Sequence, residues 1–398
     1  MISIHEAQAR VLDRLQPTGV EVVPLADALA RVLATDITAR VTQPPRDVSA
    51  MDGYAIIAED SGTRHVVGSA PAGHPWQGLL GHGQAVRIFT GSFIPTGADT
   101  VVIQEDVVRE ADTLRLNVAV GKGQHIRSAG TDFQSGEVLV PKGVKLTPRQ
   151  IGLIAAGNYA WVNVYRRPVI AILATGDEIS LPGDPVADGG IISSNSHALA
   201  AMIRACGGIP LVLPIAIDQP EAIAASAASA SHADMLVTTG GASVGEHDLV
   251  ATALAGQGLE LAFWKVAMRP GKPLMHGHIG RLPLLGLPGN PVSAYVCGLL
   301  FLKPVIERLS GLAADLPRPS IARLGSDLPA NDLRADHLRC TLVQDETGAW
   351  SAYPATRQDS SLLRILADCS GLILRAPFAP AASAGSEVEV LRIDLMGL

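Results

Sequence analysis

PVIAILATGDEI at 168–179 and DMLVTTGGASVGEHD at 234–248 are built alike: an unbroken apolar run, then a polar turn containing glycine. A strand that is apolar along its whole length, without alternation, suits a parallel sheet covered by helices on both faces. Between and beyond these runs lie helical and extended patterns in turn. SNSHALAAMIRACGG at 194–208, QPEAIAASAASA at 219–230 and EHDLVATALAG at 246–256 read as helices, and IPLVLPIAI at 209–217 and ELAFWKVAM at 260–268 as strands. A long helix starts near Asn290. Alternation of this kind over 166–312 predicts an α/β domain with a parallel sheet. Ligands in such sheets bind at the carboxyl ends of the strands, so the turns after the apolar runs are the places to look for chemistry.

The flanking segments have a different texture. Ile4, Ala7, Val11 and Leu15 recur at helical spacing, so residues 1–40 read as helical with a short extended exit, stopped by Pro44-Pro45. From 41 to 140, short runs such as RHVVGSA, QAVRIFTGS, DTVVIQEDVV and DTLRLNVAV are separated by Gly and Pro, which predicts a β-rich domain. Residues 141–165 read as a helix with Thr147 at its N-cap, Pro148 in its first turn and Gly157 near its end, followed by a strand. This segment is expected to return beside the N-terminal helix, so 1–40 and 141–165 form one elongated helical domain. After 313 the chain reverts to short strands, with a polar insertion at QDSSLLRIL (358–366), and a C-terminal β domain over 313–398 is expected.

With 398 residues, 47% hydrophobic and 17% charged, the chain is folded, multidomain and able to bury a large core. Its net charge of −7 argues against broad nucleic-acid binding, which needs a concentrated basic surface. The amphipathic N-terminus is neither signal peptide nor anchor, and no run of eighteen apolar residues occurs, so no membrane association is expected. Cys206, Cys297, Cys340 and Cys369 lie far apart with no CxxC spacing, as reduced thiols of a cytoplasmic protein do. His5, His74, His197, His247 and His276 show no metal-ligand spacing and read as surface or loop histidines.

Four loops carry chemistry. In TGDEI at 175–179, Thr175 and Gly176 lead to Asp177 and Glu178, two adjacent acids at a strand end. They suit Mg²⁺, which takes one or two carboxylates plus water and substrate oxygens, or they stabilise a helix N-terminus. In TTGGASVGEHD at 238–248, Gly240, Gly241 and Gly245 surround Ser243 ahead of a helix, a turn whose N–H groups can bind an anion. Thr238, Ser243 and Asp248 can add polar contacts, while neither GxGxxG nor Walker A spacing is present. WKVAMRPGKP at 264–273 places Lys265, Arg269 and Lys272 within eight residues of an acidic chain, which suits an oxyanion or diphosphate. In GLPGNPVSAYV at 286–296, Pro288 and Pro291 bracket Gly289-Asn290, and Asn290 or Ser293 can cap the helix that follows.

Taken with SAMDGYAI (49–56), FTGSFIPTGADTVVIQED (89–106), HIRSAGTDFQSGEVLVPKG (125–143) and LTPRQIGLIAAG (146–157), these loops resemble the MoeA family of molybdopterin molybdenumtransferases, which includes the C-terminal domain of gephyrin. The resemblance spans nearly the whole chain and keeps the order of the motifs. It implies a four-part subunit with a central domain like that of molybdopterin adenylyltransferases. It also implies an elongated homodimer whose active site lies between the sheet domain of one subunit and the β-rich domain of its partner. The reaction it implies binds molybdopterin-AMP, accepts molybdate at the dithiolene and releases AMP and finished cofactor. Lys265, Arg269, Lys272 and the 240–245 turn then meet the phosphoanhydride and molybdate, with Mg²⁺ held by Glu178, Asp177 and Asp234. Asp52, Thr90, Arg127 and Asp132 map onto family positions associated with activity, and Asp52, Thr90, Asp132 and Glu178 are the expected catalytic residues.

The resemblance further implies transient contact with a molybdopterin adenylyltransferase and with acceptor molybdoenzymes. The chain departs from the family pattern at Ser92-Phe93 and at RQDSS (357–361), the latter putting in doubt a contribution from the C-terminal domain. Two other readings stay open: an adenylyltransferase, against which the long terminal domains speak, and a non-catalytic pterin-binding or scaffold protein, against which the intact acidic and basic loops speak.

Overall fold

A computed structural model describes residues 1–240, 249–314 and 318–397. The chain divides into two compact units: a β unit of residues 22–29 and 35–162, and a sheet unit of residues 1–21, 30–34 and 163–398. The helix predicted over residues 1–40 is confined to α1 (Ile4–Leu12), started by Ser3, whose hydroxyl accepts from the Glu6 amide. Its apolar stripe, Ala7 and Val11, is fully buried and packs into the core of the sheet unit. Beyond Leu12 the periodicity lapses at QPTG, and the chain runs on as short extended pieces.

In the β unit, β1 (Gly53–Ile56), β2 (Arg64–Ala70), β3 (Gln84–Ile88), β4 (Thr100–Ile103), β5 (Val107–Glu110) and β6 (Thr113–Leu116) form one sheet in the order β4-β1-β3-β2-β6-β5. Successive side chains on these strands enter different cores: Tyr54, Ile56, Ala85 and Val102 on one face, and Ala55, Val86, Ile88 and Val101 on the other. Burial on both faces is why TVVI and its neighbours are apolar without alternation. The predicted helix after Thr147 is present as α2 (Pro148–Ala156), with the Gln150 side chain accepting from the Thr147 amide at 2.8 Å.

The sheet unit is built on β7 (Val169–Ala174), α3 (Asn195–Ala205), β8 (Ile209–Val212), α4 (Pro220–Ala228), β9 (Met235–Thr239), α5 (Leu249–Ala255), β10 (Leu259–Phe263), β11 (Met275–Ile279) and β12 (Leu282–Leu287). The strand order is β8-β7-β9-β12-β11-β10. The first four strands run parallel, whereas β11 is antiparallel to both β12 and β10. The sheet is therefore mixed where a parallel one was expected. Gly280-Arg281 is too short a link for a crossover helix and folds 275–287 into a hairpin. Ile170 and Ile172 pack under α1, α3 and the long C-terminal helix, while Ala171 and Leu173 face α4 and α5.

That long helix comprises α6 (Pro291–Cys297), a widened π turn (298–302) and α7 (Lys303–Leu309). The chain then forms β13 (Ser320–Leu324), β14 (Ala335–Gln344), β15 (Trp350–Pro354), β16 (Gly371–Arg375) and β17 (Glu387–Arg392). These close on themselves, because β14 pairs with β15 on one side and β16 on the other. A short helix, α8 (Leu363–Asp368), leaves the barrel wall. No described helix is long and apolar enough to cross a membrane. All four cysteines are free thiols, Cys297 and Cys340 being buried. His276, read from the sequence as a surface or loop residue, is fully buried on β11, which has neighbours on both edges.

Candidate functional site

The carboxyl ends of β7, β9 and β12 meet at a cavity of about 580 Å³ lined by Glu178, Asn195, Gly240, Lys272, Pro288 to Pro291 and Ser361. The turns that form it are packed backbone to backbone. Gly240 has φ +93°, and a Cβ there would sit 2.2 Å from the Thr175 carbonyl oxygen. Only glycine permits so close an approach in that conformation. Gly176 is also left-handed, with φ +146°, and a Cβ on it would meet the Glu178 carboxylate at 2.6 Å. Glycine at 176 thus lets Glu178 fold back over the turn. Thr175 is fully buried, its amide bonds to the Thr239 carbonyl, and its hydroxyl has no partner among the described residues.

Asp177 accepts from the Asp218 amide at 2.9 Å and is not among the residues lining the cavity. Burial and then the charges of Asp177 and Glu178 push the Asp218 carboxyl above its usual range. Negative potential is therefore concentrated beside the cavity. Lys272 is the only Lys or Arg among the described residues lining it.

The C-terminal barrel contributes to this wall, contrary to the doubt raised by RQDSS. Ser361 and Leu363 line the cavity, Asn290 Nδ2 donates to Ser360 Oγ at 3.0 Å, and the Val292 amide donates to the Ser360 carbonyl. Asp359 accepts from the amide and hydroxyl of Ser361, which holds its carboxyl below the usual range. Asn290 therefore ties two domains together and makes no side-chain cap. Ser293, the other capping candidate, is buried within α6.

Thr175, Gly176, Asp177 and Ser293 do not themselves line the cavity, and three further candidates lie elsewhere. Asp234 lies at the start of β9, at the amino end of the sheet, where both carboxylate oxygens are held by Arg166 at 2.8 and 3.0 Å and one also by the Val169 amide. The helix before β9 returns the chain to the amino edge, so a residue just ahead of the strand is a strand length from the carboxyl ends. Asp234 is thus misplaced as a ligand of the Glu178 site. Arg269 continues an edge strand, Met268–Arg269, alongside β14 and binds Asp336 through Nε at 2.8 Å and through Nη2, with Asp332 at 3.3 Å. It faces a separate cavity of about 530 Å³ in the barrel. Lys265 is exposed beside the N-terminal strand contact of Ile2 with Val266. Gly241, Ser243, Gly245 and Asp248 lie outside the described residues.

The β unit gathers a second group. Asp52 accepts from both the amide and the hydroxyl of Thr90 at 2.8 Å, and these bonds, with the nearby Arg87, hold its carboxyl below the usual range. Arg87 is itself fixed on the Gly53 carbonyl and Gln104. Ser49 pairs with Ile126 and its amide bonds the Ser92 carbonyl, so the MDG, FTG and HIR segments converge. Arg127 is exposed opposite Val48, and Asp132 is exposed with its amide on the Gln43 carbonyl.

Sequence reasoning missed Asn195, Thr239 and Ser361. Asn195 opens a helix directly behind a glycine-containing loop, which reads only as a start signal; its side chain in fact spans two strand ends.

Residues 2–157 match the MoeA N-terminal region (domain I and II), 171–308 a probable molybdopterin binding domain, and 321–393 the MoeA C-terminal region (domain IV). A molybdopterin molybdenumtransferase of Nostoc sp. is 38% identical over 314 residues, covering 76% of this chain and 72% of the relative. The molybdopterin molybdenumtransferase of Bacillus subtilis is 35% identical, covering 98% and 94%. The crystal structure of a molybdopterin biosynthesis moeA protein from Pyrococcus horikosii superposes with a TM-score of 0.86 at 30% identity, covering 98% of this chain and 99% of that one. Matching regions from one end to the other, in the order of the motifs that shape both residue groups, show that the chain belongs to the MoeA family of molybdopterin molybdenumtransferases.

Proposed function

We propose that this chain is a molybdopterin molybdenumtransferase, which inserts molybdate into adenylylated molybdopterin and releases AMP. The observation that carries the reading is the cavity at the carboxyl ends of β7, β9 and β12, with Glu178 and Lys272 on its rim. In the reaction, water adds to one phosphorus of the phosphoanhydride, the P–O–P bridge breaks and AMP departs, while molybdate, a substrate, bonds the dithiolene sulfurs and gives up one oxygen, which leaves as water with the two thiol protons. Lys272 supplies a cation for an oxyanion, and the backbone-packed turns hold the pocket rigid before substrate enters.

Mg²⁺ is proposed as the divalent ion. Among the described residues no group of three His, Cys, Asp or Glu side chains is placed to hold a metal, so an all-protein cage is absent there. An open site would use Glu178 as its carboxylate on the cavity, with Asp177 beside it on the Asp218 amide, because Mg²⁺ keeps several waters and takes substrate oxygens. Bound there, Mg²⁺ neutralises charge on the phosphate oxygens.

We also propose a cytoplasmic homodimer that combines the Asp52 group of one subunit with the Glu178 group of the other, and transient contacts with an adenylyltransferase and acceptor molybdoenzymes. The test is AMP release from molybdopterin-AMP, with and without molybdate and Mg²⁺, by the wild type and the Asp52→Ala, Glu178→Ala and Lys272→Ala variants. Molybdate-dependent release, lost in the variants, is expected. Recovery of part of the rate on mixing Asp52→Ala with Glu178→Ala is expected from the dimer. Folded protein that releases no AMP under any condition overturns the transferase reading, and a monomer mass in light scattering overturns the dimer.

A further inference from the structure

Asn195 is the first residue of α3 and lies on the cavity wall. Its Nδ2 donates to Thr239 Oγ1 at 2.9 Å and to the Gly289 carbonyl at 2.7 Å. A carbonyl only accepts, so the bond to Gly289 identifies the nitrogen side of the amide, and both its hydrogens are committed. Thr239 is a buried residue, and its Oγ1 passes its own hydrogen to the Pro288 carbonyl at 3.3 Å. One side chain on a helix therefore joins the end of β9 to the turn after β12.

The turns it joins follow two directly paired strands and lie close together. A Cβ on Gly289 would find the Gly240 Cα at 3.6 Å, and Gly240 is itself pressed on the Thr175 carbonyl. The pairing of β9 with β12 ends at Thr239 and Leu287, and beyond it, among the described residues, the Asn195 amide and the Thr239 hydroxyl bridge the 240 and 288–291 turns. Those turns carry Gly240, Pro288, Asn290 and Pro291, which line the cavity together with Lys272.

We propose that Asn195 is a positioning residue for the transferase reaction, setting the width of the substrate cavity by holding Thr239 and Gly289 together through its amide hydrogens. The inference rests on the transferase reading given above. It assigns Asn195 no contact with the reacting atoms; its effect passes through the turns, so it acts on substrate affinity more than on the chemical step.

The experiment is steady-state AMP release from molybdopterin-AMP at saturating molybdate for wild type, Asn195→Ala, Asn195→Asp, Thr239→Val, Thr239→Ser and the Asn195→Ala/Thr239→Val double variant, with thermal melts of each. Loss of two hydrogen bonds at the wall is expected to raise KM about tenfold while kcat changes less than about threefold. Asn195→Asp, nearly the same shape but with no amide hydrogens, is expected to behave like Asn195→Ala, and Thr239→Ser to stay near wild type. The double variant is expected to be no worse than about twofold beyond Asn195→Ala, because both changes break one chain of bonds. A wild-type KM in Asn195→Ala or in Asn195→Asp overturns the proposal, as does a fall in kcat at constant KM. Wild-type protein that releases no AMP fails the transferase reading itself, an outcome distinct from active wild type with indifferent variants.

Discussion

The side chain of Gln8 donates from Nε2 to the carbonyl of Leu300 at 3.0 Å, linking α1 to the π turn of the long helix. Pro304 follows one turn later and has no N–H to give the Leu300 carbonyl four residues before it. Leu300 is buried among Leu299, Phe301 and Leu302, where water cannot replace that donor. A residue almost three hundred positions away repairs a defect written into the helix by its proline.

Gln8→Leu is therefore expected to destabilise the fold by about 1–3 kcal/mol, the cost of a buried acceptor left without a partner. Urea denaturation checks this, through a lower midpoint with an unchanged slope. A midpoint equal to that of wild type would show that the Leu300 carbonyl finds another donor.

Asp234 is expected to act on stability alone. Asp234→Ala removes both bonds from Arg166 and the bond from the Val169 amide, and about 1 kcal/mol is expected to be lost, since Arg166 is half exposed. Rates of AMP release measured at a temperature where the variant stays folded should match wild type. Loss of Mg²⁺-dependent activity would return Asp234 to the site.

The Thr90 bonds stabilise the ionised form of Asp52. Because its carboxyl is lowered in the folded chain, the stabilisation is present above the unfolded value of 3.8 and disappears as pH falls through the lower folded value. Thr90→Val removes the hydroxyl and keeps the amide, so the Asp52 titration should move up towards 3.8 without reaching it. A carbon-detected NMR titration reads this directly, and an unmoved midpoint would show that the hydroxyl contributes nothing.

Two buried histidines govern acid sensitivity. His276 and His337 are pushed down by burial to about 4 from 6.5. The unfolded chain binds these protons below about 6.5 while the folded chain resists until about 4. Stability should thus fall with pH across that window, by up to about 1.4 kcal/mol per unit for each histidine. His276→Gln, which can keep the donor to the Leu284 carbonyl, should flatten the decline. Urea midpoints at pH 7, 6 and 5 compare the slopes, and parallel slopes would exonerate His276.

Much of the architecture was legible in local patterns. The unbroken apolar runs at 169–174 and 235–239 became adjacent parallel strands because residues apolar on every side must be covered on both faces. Thr147 before Pro148 marked a helix start, and the glycines at 176 and 240 stand where left-handed turns need them. The sequence by itself therefore determined strands, helix starts, the turns that carry Glu178 and Gly240, and the family. These follow from backbone and burial preferences acting over a few residues.

Tertiary structure decided which side chains share a space. Asp234 and Glu178 were equivalent as acids beside strands, but opposite ends of the sheet separate them. Arg269 and Lys272 sit three residues apart, yet edge pairing with β14 carries Arg269 to Asp336 and leaves Lys272 on the cavity. Asn195 looked like a helix start and is a bridge, and Ser361 reaches the cavity from a separate barrel. Such assignments depend on which end of a strand a residue occupies and which surface packs against it. Both are settled by contacts between residues distant in the chain, about which a local pattern carries no information.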